Sequence, residues 1–67
     1  MTPDELVLAL CRERVAQGLT QEEVGLRMGR STYRSVQAWE SGKTMPVLVN
    51  FVDWADALDI DVELKHR

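Results

Sequence analysis

Arg34 and Gln37 stand three residues apart, with Tyr33 and Ala38 beside them, in a segment that stops at Gly42. On a helix these positions share or border one face. An arginine fork can grip O6 and N7 of guanine, and glutamine can do the same to N6 and N7 of adenine. Alanine can pack on a thymine methyl. An ordinary solvated helix face carries the same residue types, so the surrounding elements must decide between the two readings.

Caps and stops make those elements legible. Thr20 and Glu23 have capping-box spacing and open a helix that turns Val24 and Met28 inward and closes at Gly29. The next helix is predicted from Ser31 or Thr32 to Glu40 or Ser41, with Val36 and Trp39 inward. Two short helices joined by a tight glycine turn make a helix-turn-helix unit, here about residues 20–41, whose second helix can lie in a DNA major groove. Gly25 is an odd choice inside a helix, costing roughly 1 kcal/mol against alanine. It makes sense where another helix crosses and leaves no room for a side chain.

Two further helices flank this unit. The first is predicted after Thr2, with Pro3 at its first position and Thr2 and Glu5 at capping-box spacing. Leu6, Leu10 and Val15, with Val7, Leu8 and Cys11 nearby, supply its apolar face, and Gly18 ends it. Pro46 opens the last helix, from Val47 to about Leu58, with an inward stripe of Leu48, Phe51, Val52, Ala55 and Leu58 and with Trp54 beside it. Residues 60–64 then alternate apolar and polar, the mark of a half-buried strand. A lone strand does not stand by itself. The expected partner is the same strand of another copy, with Ile60, Val62 and Leu64 at the interface; a frayed tail or a short fifth helix is the alternative.

Composition bounds the rest. Sixty-seven residues make one domain, 1–67, near the lower size limit for unaided folding. The 45% hydrophobic content is that of a globular chain, and no apolar run approaches the roughly 18 residues of a membrane span. The polar, acidic start does not read as a secretory segment. Cys11 is the only cysteine, which excludes an internal disulfide and reads as a small buried hydrophobe. A cytoplasmic protein without a membrane partner follows. His66 is the only histidine, so neither a catalytic triad nor a metal cluster can be assembled, and no glycine-rich phosphate loop is present. The reading is no enzyme, no metal and no cofactor. The net charge of -3 opposes nucleic-acid binding, but its distribution does not: residues 12–43 carry six bases against four acids, while residues 44–67 carry five acids against two bases.

Gly18-Leu19-Thr20-Gln21-Glu22-Glu23-Val24, Met28-Gly29, Trp39-Glu40-Ser41-Gly42-Lys43, Pro46 and Ala55-Asp56-Ala57-Leu58 resemble the Cro/C1-type helix-turn-helix family, over about residues 6–60. The resemblance implies an all-α fold, a compact four-helix lambda-repressor-like domain with a short C-terminal β-strand added. It implies a dimeric, sequence-specific regulator of transcription, a repressor on a near-palindromic operator in double-stranded DNA. Tyr33, Arg34, Gln37 and Ala38 would read bases, and Gln21, Arg30, Ser31 and Lys43 would hold phosphates. Arg14 would pair with Glu40 and fix the recognition helix to the first helix. Two departures stand out. Gly25 replaces the family's usual alanine, and the run from Gly29 to Glu40 is one residue long, so that Arg30 looks inserted. An antitoxin that also binds a toxin protein is the alternative, since such family members have a similar tail. A protein-interaction module that has lost DNA is another, supported by the acidic total and an exposed Leu26.

Overall fold

Four helices follow one another in the computed structural model, which describes residues 1–30 and 32–66: α1 (Pro3–Ala16), α2 (Gln21–Arg27), α3 (Arg34–Glu40) and α4 (Leu48–Ala57). The fold is all-α, with no strand among the described residues. Among the described residues no helix is long and apolar enough to cross a membrane.

The starts of α1 and α2 are set by hydroxyl caps. Thr2 Oγ1 accepts the Glu5 N–H at 3.2 Å, with Pro3 at the first helical position. Thr20 and Glu23 close a reciprocal capping box, both bonds at 3.0 Å. The start of α3 differs from the sequence expectation. Thr32 stays outside the helix, its hydroxyl accepting the Arg34 N–H at 3.2 Å, and Tyr33 is the cap residue without a capping side chain. Ser and Thr hydroxyls that bond the backbone two residues on hold the chain in a turn rather than a helix.

All four helices end the same way. In each, the residue after the cap takes positive φ and donates to the third-last backbone position, while the next N–H reaches one residue further back. This is the Schellman arrangement, which satisfies carbonyls the helix leaves open. Three ends use glycine; the fourth uses Asp59, at φ 57°. Leu19 and Ile60, the residues after the first and last turns, pack on the core as the motif's hydrophobic contact.

The core is Val7, Leu10, Val24, Val36, Trp39, Trp54, Ala55 and Leu58. Trp39 and Trp54 lie at its centre, ring centroids 5.4 Å apart and planes tilted by 37°. This corrects two stripes. The buried side of α4 runs Phe51, Trp54, Ala55, Leu58, leaving Leu48 79% and Val52 37% exposed. Burying an indole removes far more apolar surface than burying Leu48 or Val52, so Trp54 sets the rotation of α4. On α1 the inward line is Val7, Leu10, Cys11, Arg14, and Leu6, Leu8 and Val15 lie outside. The helices are also tied by polar bonds: Gln17 Nε2 donates to the Leu58 carbonyl at 2.7 Å, and Arg27 Nη1 to the Ala57 carbonyl at 3.2 Å.

The strand expected over residues 60–64 does not form in the single chain. The Ile60 N–H donates to the Ala55 carbonyl at 2.9 Å, and its side chain packs on the core, so this position is occupied within its own chain. Residues 61–66 form no regular element and are exposed. An isolated extended segment has no neighbour to take its backbone bonds.

Asp59 gives a test of this architecture. A left-handed conformation costs an L-residue about 1–2 kcal/mol, and glycine's greater unfolded-state freedom returns roughly half of that gain. Asp59→Gly is expected to raise stability by about 0.5–1 kcal/mol in urea unfolding. An unchanged midpoint would mean that the Asp59 side chain relieves the strain locally.

Candidate nucleic-acid interface

Seven residues of α3 have two faces. Val36 and Trp39 are buried, while Arg34 and Gln37 are exposed and Ala38 is half-buried. Tyr33, Arg34, Gln37 and Ala38 line one open concavity of about 570 Å³, together with Ser41, Lys43 and Thr44. Ser41 continues the helical repeat of 34, 37 and 38, so spacing could have found it. Thr44 is brought in by the chain folding back: the Lys43 and Thr44 N–H groups both donate to the Ala38 carbonyl, at 3.0 and 3.3 Å. Arg34 and Lys43 make this surface cationic, and no acidic side chain lines it among the described residues.

Glu40 ends α3 but does not line the concavity. Its carboxylate is tied into a network beneath the helix. Arg14 grips it with two bonds, Nε to Oε2 at 2.8 Å and Nη2 to Oε1 at 2.9 Å. Gln21 Nε2 donates to Oε1 at 3.0 Å, and the Cys11 thiol donates to the same oxygen at 3.2 Å. Arg14 Nη1 also reaches the Leu19 carbonyl at 2.7 Å. The Arg14 and Glu40 side chains are 16% and 5% exposed. One carboxylate thus joins α1, α2 and α3. Burial pushes the Glu40 carboxyl up, but the donors from Arg14, Gln21 and Cys11 outweigh it and hold it below its ordinary value. Burial, with Glu40 beside it, pushes the Cys11 thiol up and keeps it protonated as a donor. This adds a role to Cys11, whose residue type alone reads as packing.

The phosphate candidates sit in different surroundings. Gln21 is half-buried in the network, with one amide N–H pointed at Glu40. The Arg30 guanidinium lies over the Trp39 ring, 5.4 Å from its centroid, within cation–π range. Its Nη1 is 3.5 Å from Ser35 Oγ. Lys43 is exposed on the rim of the concavity. The contact expected of Ser31 lies outside the described residues.

The turn into α3 explains Gly25. That residue is buried, and a Cβ there would lie 3.0 Å from the Thr32 carbonyl oxygen and 3.4 Å from the Tyr33 Cα. What crosses α2 here is the backbone leading into α3 rather than a helix.

Residues 8–65 match the model of the helix-turn-helix family, and the chain belongs to that family, of the Cro/C1 type. The family is one of DNA-binding regulatory domains and is not enzymatic. No curated protein and no solved structure matches the chain.

Two predictions follow from this geometry. Because the folded Glu40 pKa is depressed, its contribution to stability is complete above the ordinary carboxylate range and is lost as pH falls through the folded value. Glu40→Gln is expected to cost up to about 3 kcal/mol at neutral pH, the lower end for a broken buried pair. It should also flatten the acid limb of stability below about pH 4. Parallel acid limbs for the two proteins in pH-dependent urea unfolding would remove Glu40 from that role. Gly25→Ala should forfeit the roughly 1 kcal/mol of helix propensity that alanine offers. The contact with Thr32 is with backbone, so the variant is expected to unfold at a lower urea midpoint; a higher one would show that the turn can yield.

Proposed function

We propose that this chain is a sequence-specific repressor of transcription that binds a near-palindromic operator as a homodimer. In this reading Tyr33, Arg34, Gln37 and Ala38 face the base edges in the major groove. Gln21 and Lys43 hold phosphates on either side, Gln21 through the amide hydrogen not directed at Glu40. Arg30 and Ser31, in the turn, contribute to the same backbone contacts. The observation that supports this best is the cationic concavity on α3, which gathers the four base-reading candidates with Lys43. A helix whose polar face is open, basic and free of acids fits a groove bordered by phosphates.

Dimerisation enters through symmetry. One short helix reads only a few base pairs, and a two-fold pair places two such helices about one DNA turn apart, roughly 34 Å. Ile60 packs on its own chain's core, so Val62 and Leu64 are the exposed apolar residues of the tail that a partner could cover.

The test compares two substitutions on one selected operator. Arg34→Ala should cost roughly 1–3 kcal/mol on that operator and relax preference among sequences. Lys43→Ala should weaken all duplexes alike and reduce the slope of log affinity against log salt by about 0.9. Titration of operator and random duplex at several salt concentrations reads both. If Arg34→Ala lowered operator and random binding by the same factor, Arg34 would hold phosphate and read no base.

A further inference from the structure

We propose that Trp39 is a positioning residue for DNA binding: its indole holds the Arg30 guanidinium on the flank of α3, where that cation grips a backbone phosphate. The role rests on the DNA-binding reading above and gives a core residue a part in it. Arg30 is fixed at both ends. Its backbone N–H donates to the Gly25 carbonyl at 3.0 Å, in the stop of α2. Its guanidinium lies over the Trp39 ring, 5.4 Å from the centroid. The ring itself is held, being 5% exposed and packed on Trp54 with centroids 5.4 Å apart. A long side chain that would otherwise sample many rotamers is thus ordered before any ligand arrives, and binding no longer has to order it.

The way Arg30 is held leaves its charge available. An aromatic face attracts a cation through its quadrupole, which has no net charge and cancels none. It also offers no lone pair to the N–H groups, so the donors that a carboxylate would occupy remain for an anion. Arg14 shows the contrast, its fork closed by the Glu40 carboxylate. Among the described residues no carboxylate pairs with Arg30. Its Nη1 stands 3.5 Å from Ser35 Oγ, too far for a strong bond.

Placement favours a phosphate over a base. Ser35 and Trp39, the two α3 residues that Arg30 meets, are four apart and share one side of the helix. They lie roughly 100° and 140° round from Arg34, off the face that carries Gln37 and Ala38. An α-helix about 10–12 Å across fills a major groove about 12 Å wide. Its outward face then meets base edges and its flanks meet the phosphate walls.

The experiment uses the full chain with Arg30→Gln, Arg30→Lys, Trp39→Phe, and Arg30→Gln combined with Trp39→Phe. Helical circular dichroism checks that each is folded. Affinity for a selected operator and for random duplex is then titrated at several salt concentrations. Arg30→Gln is expected to weaken both duplexes and to lower the slope of log affinity against log salt by about 0.9. Arg30→Lys keeps the charge and should keep the slope. It loses the guanidinium's fork and should weaken both duplexes about two- to fivefold, the size of an exposed cation–π contact. Trp39→Phe should weaken binding by a similar factor more in the native background than in the Arg30→Gln background. Additive effects in that cycle would overturn the role of Trp39. Should Trp39→Phe fail to fold, Arg30→Lys decides, and native-like affinity for both duplexes would overturn the proposal. If Arg30→Gln weakened the operator alone, with random binding and salt slope unchanged, Arg30 would brace the base readers and hold no phosphate; the proposal would fall and the DNA-binding reading would stand. A native chain that binds neither duplex at low salt would overturn both.

Discussion

The Glu40 carboxylate is 5% exposed and accepts four hydrogen bonds, two from Arg14, one from Gln21 and one from Cys11. A carboxylate taken out of water without such partners costs several kcal/mol. The donors come from α1 and α2, and the acceptor closes α3, so the charge is satisfied in only one mutual arrangement of the three helices. Turning α3 enough to release Glu40 would strand the ion and at the same time lift Val36 and Trp39 out of the core.

The apolar side of α3 works with this polar tie. Trp39 stacks against Trp54 on the inside, while Arg30 covers its ring from the turn. Gly25 lets the backbone of Thr32 come down on α2 without an intervening methyl group. The outward face of α3 is thus positioned from three directions: a charge network at its end, an indole pair beneath, and a close backbone contact at its start. The side chains above it need no further support to share one face, because the helical repeat places them there.

Charge is partitioned in the same way. Arg34 and Lys43 border the concavity on α3, whereas Asp53, Asp56, Asp59, Asp61 and Glu63 lie on α4 and the tail. Acids at some distance from a basic surface are screened over roughly 8–10 Å at physiological salt. A negative total charge is therefore compatible with a locally cationic face, and it keeps a small protein with much exposed apolar surface from nonspecific association.

By itself the sequence determined where each helix begins and ends to within a few residues, because caps and stops are local. Thr2, Thr20 and their glutamates act within one turn, and Gly18, Gly29 and Gly42 take the positive φ of a helix stop without a side-chain penalty. The outward set Arg34, Gln37, Ala38 followed equally from the repeat of a helix. Only the tertiary structure decided which of two overlapping apolar stripes turned inward on α1 and α4, since both have helical spacing: on α4 the choice fell to the packing of Trp54 against Trp39, and on α1 Cys11 and Arg14 turn toward Glu40. It also decided that Gln21 and Arg30 serve partners inside the fold, that Thr32 remains outside α3, and that Ile60 belongs to the core instead of a strand. Gln21 and Arg30 answer to Glu40 and Trp39, groups distant in sequence, and a pattern of residue types holds no record of which distant group will arrive.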